Sequence, residues 1–299
     1  MAVPIDENLR SQIAATTRAV EYARRSANID STKLELLVEH LHSLAELRVR
    51  TEDFPRAESL LREAMFRIED ANSVQRIAPR PVLAANIASS LGYLYDRWNK
   101  TENARSWYQK SLDMAETGHF FESDLGASVS NNLGMLDKKH GSMASAEFNY
   151  RRALDIFSKI KGTDSLECAA VNNNLGVLLY TRGDYPGAIH CHEAALAIRQ
   201  VHHHPATGEG LKDLCQTWRN LAAVYKTKGE TEKAATLLRQ AGVSEEPSES
   251  ATTNWVVKPT SRTTLRSDPR PSTSSFSVEV HRPEPESESQ GQGEEPAQG

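Results

Sequence analysis

The feature that most constrains this chain is self-similarity at a spacing of a few tens of residues. Val171 to Gln200, VNNNLGVLLYTRGDYPGAIHCHEAALAIRQ, reads as two short helices joined by a turn at Arg182-Gly183-Asp184. The first helix sets Leu175 beside Gly176, with Leu178 and Leu179 one turn on; the second carries Ala188, Ala195 and Leu196 as a small-residue stripe. Small residues on facing surfaces let two helices cross closely, so the stretch predicts an αα-hairpin. One hairpin cannot bury its apolar faces alone and needs stacked neighbours.

The neighbours are present. Leu133-Gly134 with Gly141, Ala146, Tyr150 and Ala153 repeats the pattern, Leu133 lying 42 residues before Leu175. Leu91-Gly92 with Tyr95, Ala104 and Tyr108 repeats it 42 residues earlier again. Leu44-Ala45 with Phe54, Ala57, Leu61 and Ala64 lies 47 residues before Leu91, and Leu221-Ala222 with Tyr225, Gly229, Ala234, Leu238 and Ala241 lies 46 residues after Leu175. Five such registers predict an all-α solenoid of stacked helical hairpins.

This order of Leu-Gly/Ala, then Tyr, Gly, Ala, Tyr/Phe and Ala resembles the tetratricopeptide repeat (TPR) family, which implies that the hairpins wind into a right-handed superhelix. N-N-L-G, R-N-L-A and the His204-Pro205 loop are similar to its kinesin-light-chain branch. The resemblance covers residues 38–243, with repeats near 38–71, 85–118, 127–160, 169–202 and 215–243. Two departures stand out. The proline that closes the family's unit is replaced by Glu69, Glu116, Ser158 and Gln200, and Arg48 and Asp137 stand where the first helix usually has an aromatic.

Residues 1–37 read as an N-terminal capping segment, with one helix over 6–28 carrying Leu9, Ile13, Val20 and Ala27. Thr32 and Glu35 have capping-box spacing and start the first repeat's leading helix near that point. Asp53-Phe54-Pro55 and Asp184-Tyr185-Pro186 begin second helices, since Asp and Pro suit the unpaired N–H groups of a first turn. Ala78-Pro79-Arg80-Pro81 and the loop Val201 to Gly210 account for the longer spacings. Beyond Gly242 the character changes. Seven of thirteen prolines fall in the last 56 residues among Ser, Thr and Glu, which predicts a disordered acidic tail over 244–299.

Hydrophobic content of 38% with 6% aromatic suits a solenoid with a thin core. Residues before 244 carry 30 acidic and 30 basic groups against 10 and 5 after, so the net charge of −5 belongs to the tail. A neutral folded part argues against nucleic acid, whose phosphates call for clustered positive charge. Cys168, Cys191 and Cys215 suggest reduced thiols in a cytosol-like compartment. No run reaches membrane-spanning length, and MAVPIDENLRSQ has no apolar signal core, so the expected location is cytoplasmic.

For function, the resemblance implies that leading helices line a concave groove. The residue before each conserved Leu (Ser43, Ser90, Asn132, Asn174 and Asn220) would then face inward, with Asn131 and Asn173 beside it. An Asn amide carries donors and an acceptor and can hold the backbone of an extended peptide. The alternative is that these amides bond between helices and set the repeat geometry. Arg97, Lys138, Lys139, Arg219 and Lys226 share that face with Tyr93, Met135 and Tyr180, suiting a peptide with acidic residues around a hydrophobic anchor. Glu39, Glu46 and Asp96 add acid at its N-terminal part. The chaperone-tail carboxylate clamp of some relatives is not expected, since His42 and Glu46 stand where it needs Lys and Asn.

His190-Cys191-His192 and His202-His203-His204 invite a metal reading, but neighbours on a helix point about 100° apart, and no Cys-x-x-Cys or His-x-x-x-His spacing occurs. No Gly-rich phosphate loop, nucleophile elbow or pair of catalytic carboxylates is present. The expectation is a non-catalytic adaptor or scaffold without cofactor, with a structural subunit or assembly factor of a larger complex as the rival.

Overall fold

The computed structural model describes residues 6–26, 31–73, 80–203, 208 and 210–242. They form eleven helices and no strand among the described residues, and all lie within one compact unit. Helix α1 (Glu7–Ser26) comes first. Five hairpins follow: α2 (Ser31–Arg50) with α3 (Phe54–Ser73), α4 (Pro81–Arg97) with α5 (Thr101–Thr117), α6 (Asp124–Lys139) with α7 (Met143–Lys161), α8 (Leu166–Thr181) with α9 (Tyr185–His202), and α10 (Leu211–Thr227) with α11 (Thr231–Gln240). The chain is therefore the expected all-α solenoid. Helix α1 packs on α2 through buried Val20 and Ala23. Helix α2 begins at Ser31, so residues 31–37 belong to the first hairpin and not to the capping segment. The predicted disordered tail, 244–299, lies outside the described residues.

Each hairpin is made by the same two devices. The first is the turn. Glu52, Asn99, Gly141, Gly183 and Gly229 occupy equivalent places, and all five have φ between 60° and 82°. That left-handed conformation is free for glycine and costs another residue about 1–2 kcal/mol. Asp184 then caps α9, its carboxylate accepting the Gly187 N–H at 3.0 Å, with Pro186 in the first turn. The second device is the crossing. A Cβ added at Gly92 would lie 2.5 Å from the Tyr108 ring, at Gly134 2.8 Å from Tyr150, and at Gly176 2.7 Å from His192. The end hairpins place Ala45 with Leu61 and Ala222 with Leu238 at these positions, so small meets large throughout.

Successive leading helices, from α2 to α10, pack directly on one another, whereas the trailing helices stand further apart, α3 meeting α5 through long side chains such as Arg62 over the Trp107 ring and Lys110 on Glu69. The leading helices thus form the inner, closely spaced layer and the trailing helices the outer, splayed one. Between the layers runs the core: Leu91, Leu133, Leu175 and Leu221 from one side, Ala104, Ala146, Ala188 and Ala234 from the other, all buried. Helix α8 has neighbours on nearly every side, which is why its residues from Cys168 to Leu179 are apolar or small all round, asparagines excepted.

Candidate functional site

Gly134 of α6 faces the trailing helix, so residues half a turn away look out of the inner face. These are Ser128, Asn132 and Lys139, the first two half-buried and the last exposed, with Met135 almost covered between them. The same places in α4 hold Asn86, Ser90, Tyr93 and Arg97, and in α2 they hold Glu39, Ser43, Glu46 and Arg50. The inner face therefore begins acidic and becomes cationic and aromatic over the second and third repeats.

Side-chain hydrogen bonds stitch these helices together in a regular staircase. His42 Nε2 lies 2.6 Å from Ser90 Oγ, Asn174 Nδ2 donates to Asn131 Oδ1 at 3.1 Å, and Asn220 Nδ2 donates to Asn173 Oδ1 at 3.0 Å. Each bond joins the residue two places before the conserved Leu in one repeat to the residue one place before it in the next. The expectation that Asn174 and Asn220 present their amides to the groove is thereby corrected. Both are 3% exposed, and Asn131 and Asn173 are buried with them. A buried amide needs a partner, and one repeat's rise brings the neighbouring asparagine within reach. Gln216 Nε2 completes the last step by donating to Asn220 Oδ1 at 2.8 Å.

The staircase is interrupted once, between repeats two and three. The pair there is Ser89 and Asn132, and a serine is too short to span the gap. Asn132 is half-buried and makes no side-chain hydrogen bond among the described residues. In the sequence the interruption was signalled by Ser89, the one serine at a position that elsewhere holds His42, Asn131, Asn173 or Arg219.

The cations divide into two groups. Lys139 donates to Asn99 Oδ1 at 2.9 Å and lies 3.6 Å from the carboxylate of Asp96, which is buried, so its charge is engaged within the fold. Arg219 donates to the Ala241 carbonyl at 3.4 Å and serves the last turn of the solenoid instead of the groove. Tyr180 shares its hydroxyl with Thr227 Oγ1 at 2.9 Å, bridging repeats four and five. Lys226 is exposed. Arg97 is exposed with Glu52 at 4.0 Å, while burial alone pushes the Lys138 ammonium below its ordinary range. No carboxylate offsets that burial, and Lys138 is half-buried.

The histidine runs do not converge. His190 is exposed, whereas Cys191 and His192 are buried, and His204 lies outside the described residues. Among the described residues no three His, Cys, Asp or Glu side chains come together as a metal site. No described helix is long and apolar enough to cross a membrane.

Two family models, both of the tetratricopeptide repeat, match residues 127–200 and 85–117. No curated protein matches the sequence. Among solved structures, that of BtubC (BKLC) from P. vanneervenii is 39% identical, with a TM-score of 0.71 over 83% of this chain and 98% of that one. The nearly identical TPR-like repeats of a Podosopora anserina protein described as a kinesin light chain are 16% identical, with a TM-score of 0.50 over 69% of this chain and 93% of that one. The apo form of RapI is 14% identical, with a TM-score of 0.59 over 78% of this chain and 62% of that one. The last two share the fold.

Proposed function

Because the chain belongs to the tetratricopeptide repeat family, we propose that it is a protein-interaction scaffold whose inner face holds an extended, acidic peptide across repeats two and three. The observation that carries this reading is Asn132, the one ladder asparagine whose amide is not spent on a neighbouring helix. Its donors and acceptor can pair with a peptide's backbone whatever the side chains. Exposed Arg97, at the place on α4 that Lys139 holds on α6, and half-buried Lys138 near the end of α6 supply cationic charge for acidic residues, and Tyr93 offers a half-buried ring for an apolar anchor. Exposed Glu39 and Glu46 at the first repeat repel acid there and so set the peptide's direction. Cys168 and Cys191 are buried free thiols, which fits a reducing compartment, and we place the protein in the cytoplasm on that ground.

Peptides selected from a random display library on the full chain test the reading. They should be acidic, bind more weakly as salt is raised, and be lost on combining Arg97→Glu with Lys138→Glu. Selected peptides without acidic residues, or binding indifferent to the reversal, would contradict it.

A further inference from the structure

The solenoid is finished differently at its two ends. Helix α1 covers the first hairpin, whereas the fifth has nothing stacked on it among the described residues. Its trailing helix is also short: α11 has 10 residues, against 20, 17, 19 and 18 in α3, α5, α7 and α9. An antiparallel partner of 10 residues cannot run the length of α10, which has 17. The first turns of α10 therefore lack the cover that a full trailing helix gives.

The uncovered surface is apolar. Cys215 stands six places before the conserved Leu, where the other hairpins have Val38, Ala85, Ala127 and Ala169, all fully buried; Cys215 is only half-buried. Leu238 stands opposite Ala222, where the others have Leu61, Tyr108, Tyr150 and His192, again fully buried, and it too is half-buried. Trp218 is half-buried with them, and Leu211, at the start of α10, is 43% exposed. An apolar solenoid end calls for a covering element.

The chain itself continues from this place. Gly242 closes α11, and residues 243–254 after it carry Glu245, Glu246 and Glu249 with no Lys or Arg. They lead to Trp255-Val256-Val257, three consecutive large apolar residues of a kind found nowhere else beyond Gly242. Trp255 lies 13 residues after Gly242, a reach of up to about 43 Å, whereas the whole of α10 is about 26 Å long. Exposed Lys212, Arg219 and Arg239 of the fifth hairpin are opposite in sign to the three glutamates that the chain must carry past it.

We propose that Trp255, with Val256 and Val257, docks back onto this end and covers Cys215, Trp218 and Leu238, so that the fifth hairpin is completed by its own chain. The indole supplies broad apolar surface from a single side chain. While it is seated, the end is closed to a second solenoid or another partner.

Cys215 reports the cover. In the full chain at pH 8, Trp255→Ala should speed alkylation of Cys215 about threefold or more and leave buried Cys191 unchanged, at every protein concentration. Phe276→Ala, further along the chain, should leave the parent rate unaltered. An unchanged Cys215 rate in Trp255→Ala would overturn the proposal. So would a parent rate that slows as protein concentration rises, the mark of a second copy seated on the end, and so would an equal effect of Phe276→Ala.

Discussion

Acid should destabilise this protein, chiefly through His192. His192 occupies the place of Tyr108 and Tyr150 in the preceding repeats, with its ring against Gly176. It is 1% exposed and its Nδ1 has no hydrogen-bond partner, so a charged imidazolium would be stranded. Burial, with a smaller contribution from Arg199, lowers its pKa to about 3 from the usual 6.5. The unfolded chain therefore takes up the proton first. Stability supplied by the neutral ring is complete above about pH 7, falls as pH drops through 6.5, and continues to fall until about pH 3. Between pH 7 and pH 5 the loss works out at about 2 kcal/mol for a shift of this size. His42, half-buried and depressed chiefly by burial, acts in the same direction, so the isolating comparison is with a variant at His192 alone. His192→Tyr restores the residue that the two earlier hairpins accept over Gly92 and Gly134. Urea unfolding of both proteins at pH 7 and pH 5 should show the variant losing about 2 kcal/mol less than the parent. Equal losses would refute the assignment of the acid sensitivity to His192.

Three further outcomes are expected. Gly176→Leu would drive a side chain into the His192 ring, at a cost of about 1–3 kcal/mol, and hydrogen exchange should rise in repeats three and five as well as four, because repeats stabilise one another. Asp137 is fully buried and accepts from Arg105, Ser145 and Asn149, so Asp137→Ala should strand those donors and lower stability by about 1–3 kcal/mol in urea unfolding; an unchanged stability would contradict this reading of the contact. Burial pushes the Cys191 thiol up to about 11, so at pH 8 an alkylating reagent should modify half-buried Cys215 well before Cys191, as mass spectrometry of partly modified protein can tell.

The hairpins were legible because each needs a local signature: a residue able to take positive φ at the turn, and Gly or Ala under a large side chain at the crossing. Both signals recur at fixed offsets from Leu91, Leu133, Leu175 and Leu221. The asparagines were harder. Whether Asn174 meets solvent or Asn131 depends on the offset between adjacent repeats, which no single repeat reveals. The short Ser89 that leaves Asn132 unpaired is visible in the alignment of repeats, but its effect needs the partner's position in space. Charges were legible as types and not as duties: Lys139 was read as groove charge, while the fold employs it to offset Asp96. Asp137 stood out as a missing aromatic, yet that its buried carboxylate gathers donors from α5 and α7 shows only once the helices are placed in space.

The most direct test of the inner-face account compares Asn132→Ala with Asn174→Ala, measuring both thermal stability and affinity for one selected acidic peptide. Asn132 has no helix to hold, so its removal should leave the thermal midpoint unchanged and weaken the peptide about fivefold, the net worth of a neutral hydrogen bond. Asn174→Ala removes the donor to buried Asn131 Oδ1 and should instead lower stability by about 1–3 kcal/mol. An Asn132→Ala protein that is as stable as the parent and binds the peptide equally well would contradict the account.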